Sequence, residues 1–124
     1  YGFYAPEPDG SGGEQRWAER RAVAVVQAPT RWVELTISVD YLNFVTRPVE
    51  AKVWRDGELV VDTQLTSMQP VTKYIPIPQN EKWVVLETWV SRTLYPPDFG
   101  VADDRELGLL IRWRFVDSPR LAAT

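Results

Sequence analysis

The chain predicts an all-β fold: an antiparallel two-sheet β-sandwich of jelly-roll type, with about seven or eight strands. Apolar and polar residues alternate with period two along most of its length, which is the signature of strands with one buried face. Turn-forming residues recur at intervals of roughly 8 to 12 residues, the spacing of short strands in a sandwich. No segment carries a convincing helical stripe.

Taken in order, Phe3 and Tyr4 open a short edge strand. Gly10, Ser11, Gly12 and Gly13 make the segment from Pro8 to Glu14 a flexible loop. Glu14 to Arg21 is the one helical candidate, and Trp17 does not make it amphipathic. Arg21 to Gln27 contains Ala22, Val23, Ala24, Val25 and Val26, apolar on both faces, and reads as a buried central strand. From Trp32 to Asp40 the alternation is clean: Val33, Leu35, Ile37 and Val39 face inward, and Glu34, Thr36, Ser38 and Asp40 face water. Val49, Ala51 and Val53 repeat the pattern against Glu50, Lys52 and Trp54. Asp56-Gly57 then separates this strand from Glu58 to Leu65, a strong hairpin signal because Gly tolerates the positive φ of such turns. Further strands cover Val71 to Ile77, Trp83 to Arg92 and Leu107 to Val116. The prolines lie mostly between these runs, where a missing N–H costs nothing. A single domain spans residues 1–118, with a C-terminal tail at 119–124.

Composition narrows the function. A chain of 124 residues buries roughly two-thirds of its unfolded surface. The net charge of −3 argues against nucleic acid, whose phosphates demand a basic stripe. The cluster Arg16, Arg20 and Arg21 is interleaved with Glu14 and Glu19, as expected of a solvated face. With neither cysteine nor histidine there is no disulfide framework, no usual zinc site and no imidazole-based triad. A pair of carboxylates could still hydrolyse glycosides, but a domain this small has little room for a deep cleft, so no enzyme is expected. No run reaches the roughly 18 to 20 apolar residues of a membrane helix, and the amino terminus lacks signal-peptide sections. A start at Tyr1 without methionine fits an excised domain or a processed product, with any parent protein supplying targeting and anchoring.

Two features carry candidate chemistry. Six tryptophans are dense for this length, and outward-facing aromatics mark recognition surfaces. Trp54 falls on the polar face of its strand, and Trp89 shares a face with Trp83, Val85 and Glu87, opposite Val84, Leu86, Thr88 and Val90. Exposed, Trp54 and Trp89 would stack on a sugar ring; the plain alternative is packing at strand edges or against a parent protein. The second feature is the stretch from Ser91 to Ile111, with Asp98, Asp103, Asp104 and Arg105 crowded into a loop. Glu7, Arg16, Arg92, Asp104 and Arg105 supply the planar, bidentate groups that grip sugar hydroxyls. In the rival reading Asp98, Asp103 and Arg105 pair internally and lock a long connection. Tyr4 and Trp17 join this region if the terminal strands pair. No cofactor is expected, although Asp98, Asp103 and Asp104 offer the hard oxygen ligands that calcium takes.

The pattern Gly2-Phe3-Tyr4, Glu7 and Arg16-Trp17 near the start resembles one found in bacterial cell-envelope proteins. So do Ser91-Arg92-Thr93, Pro96-Pro97-Asp98 and Asp103-Asp104-Arg105-Glu106-Leu107-Gly108 near the end. In that group, small β-sandwich domains similar to carbohydrate-binding modules are appended to glycosyltransferases and to membrane proteins of polysaccharide biosynthesis. The resemblance implies a glycan-related accessory role, an extracytoplasmic, periplasmic or cell-surface location within a larger protein, and no catalytic residues. The expected partners are a glycan or polysaccharide and the parent membrane protein or a neighbouring domain. The competing expectation is a structural or protein-interaction module whose charged loop serves only to lock the fold.

Overall fold

The structure is a computed structural model and describes residues 1–8, 14–39, 48–66, 69–93 and 107–119. Among these described residues nine strands form two antiparallel sheets: β1 (Glu7–Pro8), β2 (Glu14–Trp17), β3 (Arg21–Gln27), β4 (Trp32–Ser38), β5 (Val49–Arg55), β6 (Glu58–Leu65), β7 (Val71–Pro76), β8 (Trp83–Val90) and β9 (Leu110–Val116). The five-stranded sheet runs β1-β2-β9-β4-β7 and the four-stranded sheet β3-β8-β5-β6.

These orders have a simple origin. Strands pair as β5 with β6, β4 with β7, β3 with β8 and β2 with β9. The chain is thus one long hairpin folded about Asp56-Gly57 and rolled up so that successive rungs alternate between sheets, which is a jelly roll. The turn has φ of 50° at Asp56 and 85° at Gly57, the doubly positive geometry that the Asp-Gly pair favours. Asp56 also extends the ladder sideways: its N–H donates to the Val85 carbonyl (2.8 Å), and its Oδ1 accepts from Val85 N–H (2.9 Å).

The inward residues predicted by alternation fill the space between sheets. Val33, Leu35, Ile37, Val49, Ala51, Val53, Val84, Leu86, Val90, Leu109 and Ile111 are all buried in one core. Truncating any large member would cost about 2 to 5 kcal/mol, since a packed core collapses only partly around a deletion. Two arginines clip the ends of the roll. Arg55, on β5, donates to the Pro76 carbonyl of β7 (2.6 Å) and so ties one sheet to the other. Arg31 donates to the carbonyls of Pro78, Ala28 and Glu81, pinning the β3–β4 turn against the β7–β8 connection.

The amino terminus closes one side. Phe3 bridges Ala18, Tyr4 N–H donates to the Trp17 carbonyl (2.9 Å), and Val23 N–H donates to the Tyr1 carbonyl (2.8 Å). Residues 1–4 therefore cross from β2 to the free edge of β3. Gly2 makes the crossing possible: its φ is +80°, and a Cβ there would lie 2.4 Å from the Arg21 carbonyl.

Three expectations change. Arg21–Gln27 is an edge strand, not a central one, and Val25 is 62% exposed. Its outward valines face an open apolar surface, which sequence alone does not distinguish from burial on both faces. Glu14–Trp17 is a strand, held by β1 and β9. The amino-terminal edge strand is Glu7–Pro8, while Phe3 makes only an isolated bridge. Among the described residues no helix is long and apolar enough to cross a membrane.

Candidate functional site

The four-stranded sheet turns its outer face to solvent, and the register of three strands assembles that face. On β8 the even residues Val84, Leu86, Thr88 and Val90 are buried, which sends Trp83, Val85, Glu87 and Trp89 outward. On β5 the buried set is Val49, Ala51 and Val53, which sends Lys52 and Trp54 outward. Pairing then sets Arg21 and Lys52 on either side of Trp89, and Val23 and Trp54 on either side of Glu87. Trp54 and Trp89 are diagonal neighbours on adjacent strands, within reach of a single flat ligand.

A bulge in the β5–β6 pairing, between Val53 and Trp54, adds to this surface. It shifts the register so that Leu59 lies opposite Trp54, and Leu59 is 45% exposed. Bulges re-aim side chains in this way. Arg21, Lys52, Trp54 and Trp89 line an open, shallow depression of about 280 Å³. The Lys52 ammonium lies 5.8 Å from the centroid of the Trp89 ring, a cation–π contact, and also 3.7 Å from Glu50. Arg21 pairs with Glu87. The depression is thus an aromatic floor rimmed by groups that donate and accept hydrogen bonds.

The outer face of the five-stranded sheet is different. Glu34 was expected to face water but is 6% exposed. Tyr74 Oη donates to its carboxylate at 2.8 Å from β7, and Arg114 donates at 2.9 and 3.1 Å from β9. Burial would push this carboxyl up, but the hydrogen bonds from Tyr74 and Arg114, with the charges of Arg114 and Arg112, outweigh it and hold Glu34 below its usual value. Beside it, Thr36 and Thr72 share a hydrogen bond of 3.1 Å.

The residues singled out by sequence fall into separate places. Trp54 and Trp89 come together as described. Tyr4, Glu7, Arg16 and Trp17 belong to the amino-terminal side of the other sheet: Tyr4 and Glu7 are half-buried, Trp17 is buried at 8% exposure, and the Arg16 guanidinium lies 6.0 Å from the Trp113 ring centroid. The expected pairing of the terminal strands is present, with Arg16 opposite Ile111 and Trp17 opposite Leu110. Arg92 is half-buried just beyond Ser91, whose Oγ accepts from Glu50 N–H (2.9 Å) and whose N–H donates to the Glu50 carbonyl (2.9 Å). Asp104 and Arg105, and with them Asp98 and Asp103, lie outside the described residues. Among those that are described, no group of three or more acids is placed to hold a metal.

Sequence reasoning placed Lys52 and Trp83 on the outward faces of Trp54 and Trp89, two and six residues away on shared strands, without counting them as site residues, and it did not count Arg21 either. The place of Arg21 beside Trp89 depends on the β3–β8 register.

No protein-family model and no curated protein matches this chain. Among solved structures, a match is the GH31 α-xylosidase from Xanthomonas citri, 16% identical over 92% of this chain, with a TM-score of 0.39. The chain spans 10% of that protein's length. A likeness at this level bears on neither activity nor substrate.

Proposed function

We propose that this domain is a non-catalytic carbohydrate-binding or accessory module of a larger, extracytoplasmic cell-envelope protein that processes glycans, and that it binds on the outer face of the four-stranded sheet. The observation that carries this reading is the Trp54–Trp89 pair, set on neighbouring strands over an open depression with Arg21 and Lys52 at its rim. The indole faces offer apolar area for the C–H faces of a sugar ring, and the rim cations and Glu87 offer directed hydrogen bonds to hydroxyls. The shallowness of the depression favours weak binding that tethering to a parent protein would make effective.

The test is titration of the domain with a broad panel of bacterial and plant polysaccharides, read by tryptophan fluorescence and amide chemical shifts. Saturable changes centred on Trp54 and Trp89 support the reading; unchanged spectra across the panel end it.

A further inference from the structure

Of the six tryptophans Trp83 is the most exposed, at 56%. It takes no part in the core and does not line the depression that Trp54 and Trp89 share. A lone exposed apolar residue means little, but this one continues a contiguous surface.

Strand pairing lays that surface out in rungs along β8. Trp89 stands between Arg21 and Lys52. On the next rung Glu87 has Trp54 beside it, with Leu59 beyond on β6. Then comes Val85, 36% exposed, beside Asp56, whose N–H and carboxylate both bond the Val85 backbone. The last rung sets Trp83 opposite Gln27. Every rung thus carries an apolar platform and at least one side chain that donates or accepts hydrogen bonds. Trp54 is a diagonal neighbour of Trp89, roughly 7 to 8 Å away, whereas two rungs separate it from Trp83. Trp83 and Trp89 are six residues apart on one strand, which sets them about 20 Å apart at ~3.4 Å per residue.

We propose that Trp83 is a distal subsite of this face, and that the ligand is a polysaccharide chain laid along β8 over Trp89, Trp54, Val85 and Trp83. This inference rests on the glycan-binding role proposed for the face, and it adds the length and direction of the ligand. One sugar ring fits across Trp54 and Trp89 but cannot also touch Trp83. A chain can, because its rings repeat along a line as the platforms do. Arg21 and Lys52 meet hydroxyls at one end of the bound stretch, and Gln27 meets them at the other. The polar pattern favours a glycan over a protein partner. The centre of a protein interface is depleted of charge, whereas here Glu87 and Asp56 stand between the platforms. Each platform covers more apolar area of the same chain, so affinity rises with chain length until Trp83 is reached.

The experiment takes xylan, mannan, β-glucan and a bacterial O-antigen, cuts each by partial acid hydrolysis and sizes the fragments from disaccharide to octasaccharide. Every fraction is titrated into the isotopically labelled domain while the indole N–H signals of Trp54, Trp83 and Trp89 are followed. Affinity for fragments of a polysaccharide that binds should rise about tenfold from disaccharide to octasaccharide. Trp54 and Trp89 should shift with every fraction, and Trp83 only with the long ones. Trp83→Ala should lose the gain with length and keep the disaccharide affinity of wild type, while Trp83→Phe retains most of the gain. Equal affinity at all lengths with a silent Trp83, or full octasaccharide binding by Trp83→Ala, overturns the proposal and leaves glycan binding at Trp54 and Trp89 standing. Concentration-dependent self-association lost in Trp83→Ala also overturns it, giving the indole to a second copy of the chain. Silence of all three indoles with every fraction and every parent polysaccharide ends both the subsite and the glycan-binding role.

Discussion

On the outer face of the five-stranded sheet, a buried Glu34 is held by Tyr74 and Arg114 from the two flanking strands, and Thr36 bonds Thr72 beside it. On the outer face of the four-stranded sheet, the corresponding positions hold Trp54, Trp83, Trp89, Val25, Val85 and Leu59. Among the described residues, the exposed large hydrophobics apart from Tyr1 all lie there. Both faces come from the same period-two pattern. The first satisfies its own polar groups and leaves little for a ligand to gain. The second leaves apolar area in water, and burial of such area is worth roughly 25 cal/mol per Å² to whatever covers it. One face therefore serves stability and the other is available for binding.

Mutations can break this contrast. Glu34→Ala should cost the most, about 2 kcal/mol of folding stability, because Tyr74 and Arg114 lose the acceptor they share. Polysaccharide binding should not change, and chemical denaturation beside a titration checks both halves. Acid sharpens the same point. Glu34 titrates lower in the folded chain than its ordinary value of 4.5, so its contribution is complete above that pH. The contribution is lost as pH falls through the depressed folded value. Wild type and Glu34→Gln should thus differ in stability at neutral pH and converge in acid.

On the other face the effects reverse. Trp54→Ala or Trp89→Ala should each weaken glycan binding about tenfold, near 1.4 kcal/mol, while changing folding stability by less. Affinity electrophoresis in polysaccharide gels, paired with thermal denaturation, separates the two. The smallest effect lies just beneath that face. Thr88 points inward from β8, is 1% exposed and has a hydroxyl without a hydrogen-bond partner. Thr88→Val keeps the shape, removes the unsatisfied group and should stabilise the fold by about 1 kcal/mol without touching binding.

Much of the fold was legible because alternation is local. Val33, Leu35 and Ile37 announce an inward face regardless of what lies opposite, and Asp56-Gly57 marks the fold-back of the whole roll. The role of Glu34 was not legible. Its partners stand 40 and 80 residues away, and only the β4–β7 and β4–β9 registers bring them together. The exposure of β3 was hidden for a related reason: Val23 and Val25 look the same in sequence whether a layer of protein or water covers them. The candidate site was half legible. Parity alone set Trp54 and Trp89 on outward faces, but their meeting with Arg21 needed pairing across β3, β8 and β5. The arginine clasp expected of the charged loop, whose residues 94–106 lie outside those described, is a device Arg31 and Arg55 perform elsewhere in the roll.

The central claim is that the tryptophan face binds and the glutamate face does not. The most direct measurement is chemical-shift mapping of the labelled domain against the polysaccharide panel, following the indole N–H signals of Trp54 and Trp89 and the backbone amides of Glu34 and Arg114. Saturable shifts at the two indoles with the Glu34 and Arg114 amides unmoved are the predicted result. Shifts centred on Glu34 and Arg114, or no shift at either face with any glycan, would contradict it.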